Sequence, residues 1–235
     1  MFPIQMKKNQ VVKLAAVLAL AFPAISSAST VSMQTALGEI SIQLYDSAAP
    51  LTVANFMNYV SSGAYNNTFI HRSEPGFVIQ GGGYRWNPIN NNAPHIATSA
   101  PVVNEFSATY SNLRGTIAMA KLGGDPNSAT SEWFINLADN SGNLDIQNGG
   151  FTVFGQVSIS GMQVVDAIAA LQRVNAGSPF DSLPLLNPYN AASGWQATNF
   201  VTVNSVAAVP LPAAAWLLGT GLLGLAGVAR KRQAA

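Results

Sequence analysis

This sequence predicts a mainly β domain, a closed barrel of short strands capped at its ends by two helices. Three observations lead there. Short stretches that alternate apolar and polar residues recur along the middle of the chain, bounded by Gly, Pro and Asn. Two stretches, 49–62 and 161–174, carry the spacing of an amphipathic helix. The 235 residues suffice for one domain of ordinary size with terminal segments. Many short strands with two helices fit a sheet that closes on itself.

The elements follow in order. Val31 to Leu44 reads as a hairpin: Ile40, Ile42 and Leu44 alternate with Ser41 and Gln43, and Gly38 punctuates the turn. Ala49–Ser62 reads as a helix with Pro50 in its first turn, Val53, Phe56, Met57 and Val60 as its apolar stripe, and Gly63 at its C-terminal cap. Strands are expected near 68–72, 77–81, 115–121, 132–138 and 152–157. A second helix spans Gly161–Val174, with Val164, Val165, Ile168 and Leu171 inward. The last strand lies near Phe200–Val206. Residues 84–114, rich in Asn and Pro, and 176–199, rich in Pro, Asn, Ser and Gly, are long for loops. Long ordered loops are often functional, and surface decoration is the equal alternative.

The most informative run is Thr68-Phe69-Ile70-His71-Arg72-Ser73-Glu74-Pro75-Gly76-Phe77-Val78-Ile79-Gln80-Gly81-Gly82-Gly83. Side chains alternate along a strand, so Phe69 and His71 point one way and Ile70 and Arg72 the other. Pro75-Gly76 makes a turn, since Pro presets φ and Gly tolerates positive φ. Two strands joined this way aim Arg72, Phe77 and Gln80 at one surface, which offers a charged donor, an apolar wall and an amide. Gly81-Gly82-Gly83 matches no phosphate-binding loop and reads as a sharp exit from a strand.

The run resembles the signature of the cyclophilins, peptidyl-prolyl cis-trans isomerases, which reads Phe-His-Arg, a linker, Pro-Gly-Phe and Gln-Gly-Gly. Here Ile70 is inserted ahead of His71. Two further blocks extend the resemblance over residues 31–206. One is Gly115–Lys121 with Ser128–Asn136; the other is Asn143–Asp145 with Phe151–Val157. The resemblance implies an eight-stranded barrel with two helices and an isomerase acting on proline-containing polypeptides, with no metal and no cofactor. It implies that Arg72 donates to the prolyl nitrogen of a twisted amide and that Gln80 supports Arg72 and contacts the substrate backbone. Phe77, Val78, Phe134, Leu144 and Phe151 then form the proline pocket, and the backbone of Ala120 meets the peptide. Without the resemblance, each of these apolar residues reads as ordinary core.

Departures from the family pattern are local. Val78 is smaller than the usual Met, Phe151 replaces His, and Asn143 replaces the Trp associated with cyclosporin binding, which implies weak inhibition by that compound. Glu132 stands for the common Gln at a substrate-binding position; a carboxylate near Arg72 would hold it or compete for its donors. His71 reads as a structural partner inside the barrel, and His95, isolated in the Asn-rich loop, as solvated.

The two ends differ from the middle. Residues 1–28 read as a secretory leader: Lys7, Lys8 and Lys13 precede the short apolar stretch Leu14–Phe22, and Ser26-Ser27-Ala28 supplies small residues for cleavage after Ala28. The isomerase-like domain covers 29–208. Residues 209–232 hold Val209-Pro210-Leu211-Pro212, an uncharged stretch at 213–229 at the lower length limit for a transmembrane helix, and Arg230-Lys231-Arg232. This order resembles PEP-CTERM sorting segments, with a plain membrane anchor as the alternative. The resemblance implies an exosortase-type processing enzyme as partner. The basic cluster stays cytoplasmic and the domain lies in the periplasm or cell envelope, held at the inner membrane at least transiently.

Five basic residues face ten acidic ones between 30 and 208, a net charge of −5, which argues against nucleic acid as partner. The absence of cysteine excludes thiol catalysis and Cys metal sites. Two histidines serve triads and His-rich zinc sites poorly, and the acidic residues show no spacing that demands paired-carboxylate hydrolysis. The remaining rivals are a non-catalytic proline-peptide binding module and a structural matrix component of the envelope.

Overall fold

The computed structural model describes residues 28–210. The leader through Ser27, the apolar stretch 213–229 and its basic cluster lie outside the described residues. Among the described residues no helix is long and apolar enough to cross a membrane.

The elements are β1 (Thr30–Thr35), β2 (Gly38–Leu44), α1 (Pro50–Ser61), β3 (Thr68–Phe69), β4 (Arg72–Glu74), β5 (Val78–Gly81), β6 (Thr116–Met119), β7 (Trp133–Asn136), α2 (Ser141–Leu144), β8 (Val153–Val157), α3 (Ile159–Ala169), β9 (Arg173–Val174), β10 (Leu183–Pro184) and β11 (Thr202–Val209). Nine strands form one curled sheet in the order β3-β11-β1-β2-β8-β6-β7-β5-β4, and β9 pairs with β10 separately. The expected barrel strand 68–72 is broken in two, and its halves are the opposite edges of the sheet. β3 pairs with β11, and β4 with β5. Between them Ile70 N donates to Val201 O at 3.0 Å and His71 N to Gln80 O at 3.1 Å. The sheet thus curls until its edges meet at one seam, closed by single bonds rather than a ladder. The eight strands expected become nine because one of them is shared between both edges.

Alternation puts one face of every strand into the barrel. Ile40, Ile42 and Leu44 of β2 are fully buried, as are Ile79, Ile117 and Ile135 of β5, β6 and β7. α1 seals this core with Val53, Phe56 and Val60, and the Phe56 ring lies 5.1 Å from that of Phe154. Burying such a side chain contributes about 1.5–3 kcal/mol. α1 has no capping side chain of its own, and Glu105 supplies one from the long loop, accepting from Leu51 N at 3.1 Å and Thr52 N at 2.7 Å. A carboxylate there satisfies free helix donors and complements the dipole.

α3 starts two residues before the expected Gly161, because Ser158 caps it through Gly161 N at 3.0 Å. It ends at Ala169, not Val174, since Arg173 and Val174 pair with Pro184 and Leu183 instead. The loops 84–114 and 176–199 are more than decoration. Tyr84, Trp86, Phe180 and Trp195 pack on a satellite core of Phe69, Leu183, Leu185 and Phe200. Phe69 and His71 both stand against this cluster, Phe69 at 5.8 Å from Phe180 and His71 edge-on to Tyr84 at 4.9 Å. Ile70 lies in the main core and Arg72 pairs with Gln80 on the outer face, so these two do not share a face as simple alternation predicts.

Candidate active site

The site is a row across the outer face of the sheet. Arg72 is paired directly with Gln80, Gln80 with Phe134, Phe134 with Ala118, and Ala118 with Val153. Residues directly opposite across a ladder have Cβ atoms about 5 Å apart, so the guanidinium, the carboxamide and the phenyl ring sit side by side. The β4–β5 connection brings Phe77 up to the same row. Phe77 N donates to Glu74 O at 2.9 Å, and Gly76 has φ of 76° at the position where a Pro-Gly turn needs it. The Arg72 guanidinium lies 5.9 Å from the Phe77 ring centroid. Glu74 is 3.8 Å away, but both side chains are about a third exposed, so that pair contributes little.

Beside Arg72 the expected apolar residues come together. Val78, Phe134 and Leu144 form one cluster with Ala118 and Val153, flanked by Phe77, Ala120, Phe151 and Tyr45. Phe134 and Phe151 meet edge to face at 5.7 Å. Ala120 N donates to Glu132 O at 2.9 Å, so its carbonyl is the backbone group left to meet a ligand.

Side chains that sequence reasoning passed over hold this pocket in shape. Asn140 Nδ2 donates to Phe77 O at 2.9 Å and to Asn136 Oδ1 at 2.7 Å. Asn112 Nδ2 donates to Phe151 O at 3.0 Å and to Asp145 Oδ1 at 2.8 Å, and Ser111 Oγ donates to the other Asp145 oxygen. Two pocket walls are thus tied by their carbonyls to one buried amide network. Lys121 lies 4.7 Å from the Phe151 ring and donates to Asn148 O and Gly150 O at 2.8 and 2.7 Å. Burial pushes its ammonium below the ordinary value, against the nearby Asp125.

Glu132 does not contact Arg72, contrary to expectation. Its carboxylate accepts from Gln80 Nε2 at 2.7 Å, faces His95 Nε2 at 3.0 Å and lies 3.4 Å from His71 Nε2. Gln80 must turn its NH₂ toward a carboxylate, so its Oε1 is presented as the acceptor. His95 is therefore not a freely solvated side chain: its Nδ1 also lies 2.8 Å from Ile96 O. His71 is buried as expected, with its ring edge-on to Tyr84 at 4.9 Å. Burial alone would raise the Glu132 carboxyl. The hydrogen bond and charge of His71, then hydrogen bonds from Gln80 and His95, outweigh it and hold the group at about 2.

The three glycines after Gln80 make this approach feasible. A Cβ on Gly82 would stand 2.7 Å from Ser131 O, and one on Gly83 would stand 2.7 Å from Glu132 Oε1. Their role is close passage of β5 past the start of β7, which refines the sharp exit read from sequence.

The cyclophilin type peptidyl-prolyl cis-trans isomerase/CLD family model matches residues 30–187. A peptidyl-prolyl cis-trans isomerase of Acinetobacter baylyi is 48% identical over 140 residues, 59% of this chain and 71% of that protein. Peptidyl-prolyl cis-trans isomerase A of Dickeya dadantii is 42% identical over 165 residues, 68% of this chain and 81% of that protein. A crystal structure of a Cryptosporidium parvum cyclophilin type isomerase superposes with a TM-score of 0.55 at 21% identity. It covers 79% of this chain and 99% of its own, and speaks to the fold alone. A second structure of that protein, in the presence of the dipeptide Ala-Pro, gives 0.54 at 19% identity over 77% of this chain and 99% of its own.

Proposed function

This chain belongs to the cyclophilin-type peptidyl-prolyl cis-trans isomerases and is an enzyme of that class, and we propose that it acts on proline-containing segments of exported proteins through Arg72, Gln80 and the Phe134 pocket. An X-Pro amide interconverts slowly because resonance must be broken, at a barrier of about 18–20 kcal/mol. No bond is made or cut, so the enzyme need only bind the twisted amide better than the planar one. On twisting, the prolyl nitrogen becomes pyramidal and regains its lone pair. Arg72 then donates to it, a contact that the planar amide offers only weakly. Phe77, Val78, Phe134, Leu144 and Phe151 take the proline ring; Gln80 Oε1 and the Ala120 carbonyl accept from the substrate backbone. Glu132 acts through Gln80 as a positioning residue.

The observation that carries this reading is the ladder row Arg72–Gln80–Phe134, with the Phe77 ring against the guanidinium. Proline-limited refolding of a test protein checks it. Arg72→Ala is expected to lower kcat/KM by about 10²–10³-fold, as for a lost oxyanion donor, while peptide affinity changes far less. Equal losses in both would make Arg72 a binding residue only.

The terminal segments supply the location. A leader ending at Ala28 and a PEP-CTERM-like tail at 209–232 give a domain in the periplasm or envelope. The 213–229 stretch lies in the inner membrane, Arg230-Lys231-Arg232 in the cytoplasm, and an exosortase-type enzyme acts near Val209–Pro212. Intact-mass analysis of envelope and secreted fractions is expected to find a form starting near Ser29 and ending near the proline motif. A full-length C-terminus retained in the membrane at steady state would favour the plain anchor.

A further inference from the structure

Just before β1 lies a contact that the isomerase site does not use. Both oxygens of Asp46 are turned on Ser29: Ser29 N donates to Oδ2 at 2.7 Å and Ser29 Oγ to Oδ1 at 2.9 Å. The Ser29 carbonyl accepts from Leu44 N at 2.7 Å. The hairpin itself makes this meeting, since Thr30 is paired with Gln43 and Asp46 follows two residues after β2. Ala28, Leu44, Tyr45, Ser47, Ala48 and Tyr110 line the recess, and none of them is basic. Among the described residues Asp46 has no Lys or Arg partner; the ion pairs there involve other acids. Asp46 is half-buried, takes both its donors from Ser29 and has no cation beside it, so a positive charge placed on Ser29 N would meet an unpaired carboxylate at hydrogen-bond distance.

We propose that Asp46 is the receptor for the α-ammonium group that leader cleavage creates at Ser29. The proposal rests on the reading that the leader is removed after Ala28. In the precursor Ser29 N is a neutral amide with one N–H. Hydrolysis consumes one water: Ala28 leaves as the carboxylate of the released leader, and Ser29 gains an ammonium with three N–H groups. The amide–carboxylate bond becomes an ion pair at the same place, and the serine hydroxyl supplies the second point of a two-point grip. β1 lies between β11 and β2, so this pins the start of an interior strand. The domain then reaches its full stability only once the leader is gone.

The sign with pH follows from the new group. A free α-amino group titrates near 7.7–8.0, and a carboxylate partner raises it. The gain is therefore complete below about pH 8 and lost as pH rises through the raised value. Asp46, Tyr45 and Tyr110 are the titratable groups that face it; burial, then the nearby Tyr110, pushes the Tyr45 hydroxyl up.

The full-length chain, expressed with export, provides the test. Ala28→Trp blocks cleavage, because the site needs a small residue there. Wild type, Asp46→Asn, Ala28→Trp and the double variant are solubilised alike, weighed intact and unfolded thermally. Asp46→Asn is expected to lower Tm by roughly 2–4 °C more in the processed pair than in the uncleaved pair. Equal shifts in both pairs would show only an amide hydrogen bond and overturn the proposal. A mature protein beginning elsewhere than Ser29 overturns the cleavage reading instead, and mass alone reveals it. A pH scan needs no Asp46 variant. Between about pH 7 and 9.5 the processed protein should lose Tm relative to the uncleaved one, and parallel curves count against the pairing.

Discussion

Glu132 carries its negative charge at the side of an otherwise apolar pocket, and its neighbours explain how. Gln80, His71 and His95 each turn a ring or amide nitrogen toward it, and no side chain at Gly83 intrudes. The cluster fixes which way the Gln80 amide points, and that amide is the neighbour of Arg72 in the ladder. Glu132→Ala should therefore cost about tenfold in kcat/KM, on the order of one lost buried hydrogen bond to a charged group. Glu132→Gln, which keeps an acceptor for Gln80, should recover most of it; equal losses in both would assign the effect to the charge. Linkage gives a second readout. The carboxyl is held at about 2 against an ordinary 4.5, so its contribution to stability is present above about pH 4.5 and lost as pH falls toward 2. Denaturant titrations at stepped pH should show a smaller acid loss in Glu132→Gln than in wild type. Superimposable pH curves would contradict this.

The elements show where local pattern suffices and where it does not. The hairpin β1–β2 and helix α1 follow from alternation and from Pro50, since each buries one face on a core that the pattern itself exposes to view. The apolar pocket residues were not legible from pattern, where each reads as core; only the family resemblance singled them out, and the ladders of β5, β6 and β7 set Phe134 beside Gln80 and Ala118. The break of 68–72 into β3 and β4 was not legible either, because it is imposed by closure of the whole sheet. Nor was the early end of α3, where β9 pairs with β10. The His95 partner of Glu132 and the cap of α1 come from a loop that periodicity leaves blank: His95 is 37 residues from Glu132, and Glu105 is 53 from Thr52. Glu105→Ala should lower stability by about 1–2 kcal/mol through the lost cap, with isomerase activity per folded molecule unchanged. Gly82→Ala should cost more, since φ is +81° and the added Cβ meets backbone at 2.7 Å. Equilibrium urea unfolding checks both, and a neutral Gly82→Ala would show that β5 can move away from β7.

As a whole the molecule is a curled barrel whose interior is apolar and whose candidate site lies on its outer wall. The strands that build the site are also the ones that close the core: Ile79, Ile117 and Ile135 point inward from between the residues of the outer row. The amide network of Asn112, Asn136, Asn140 and Asp145 holds the loops that carry Phe77 and Phe151, so the pocket is preformed before a peptide arrives. A rigid pocket can bind proline; a catalyst must also bind the twisted amide more tightly than either planar form. Exchange spectroscopy on an X-Pro peptide with a catalytic amount of the protein separates these most directly. Cis–trans exchange is expected far faster than the uncatalysed tens of seconds, with the cis fraction of the free peptide unchanged, and Arg72→Ala should lose most of that acceleration. Peptide binding without any gain in the exchange rate, by a folded protein, would contradict this.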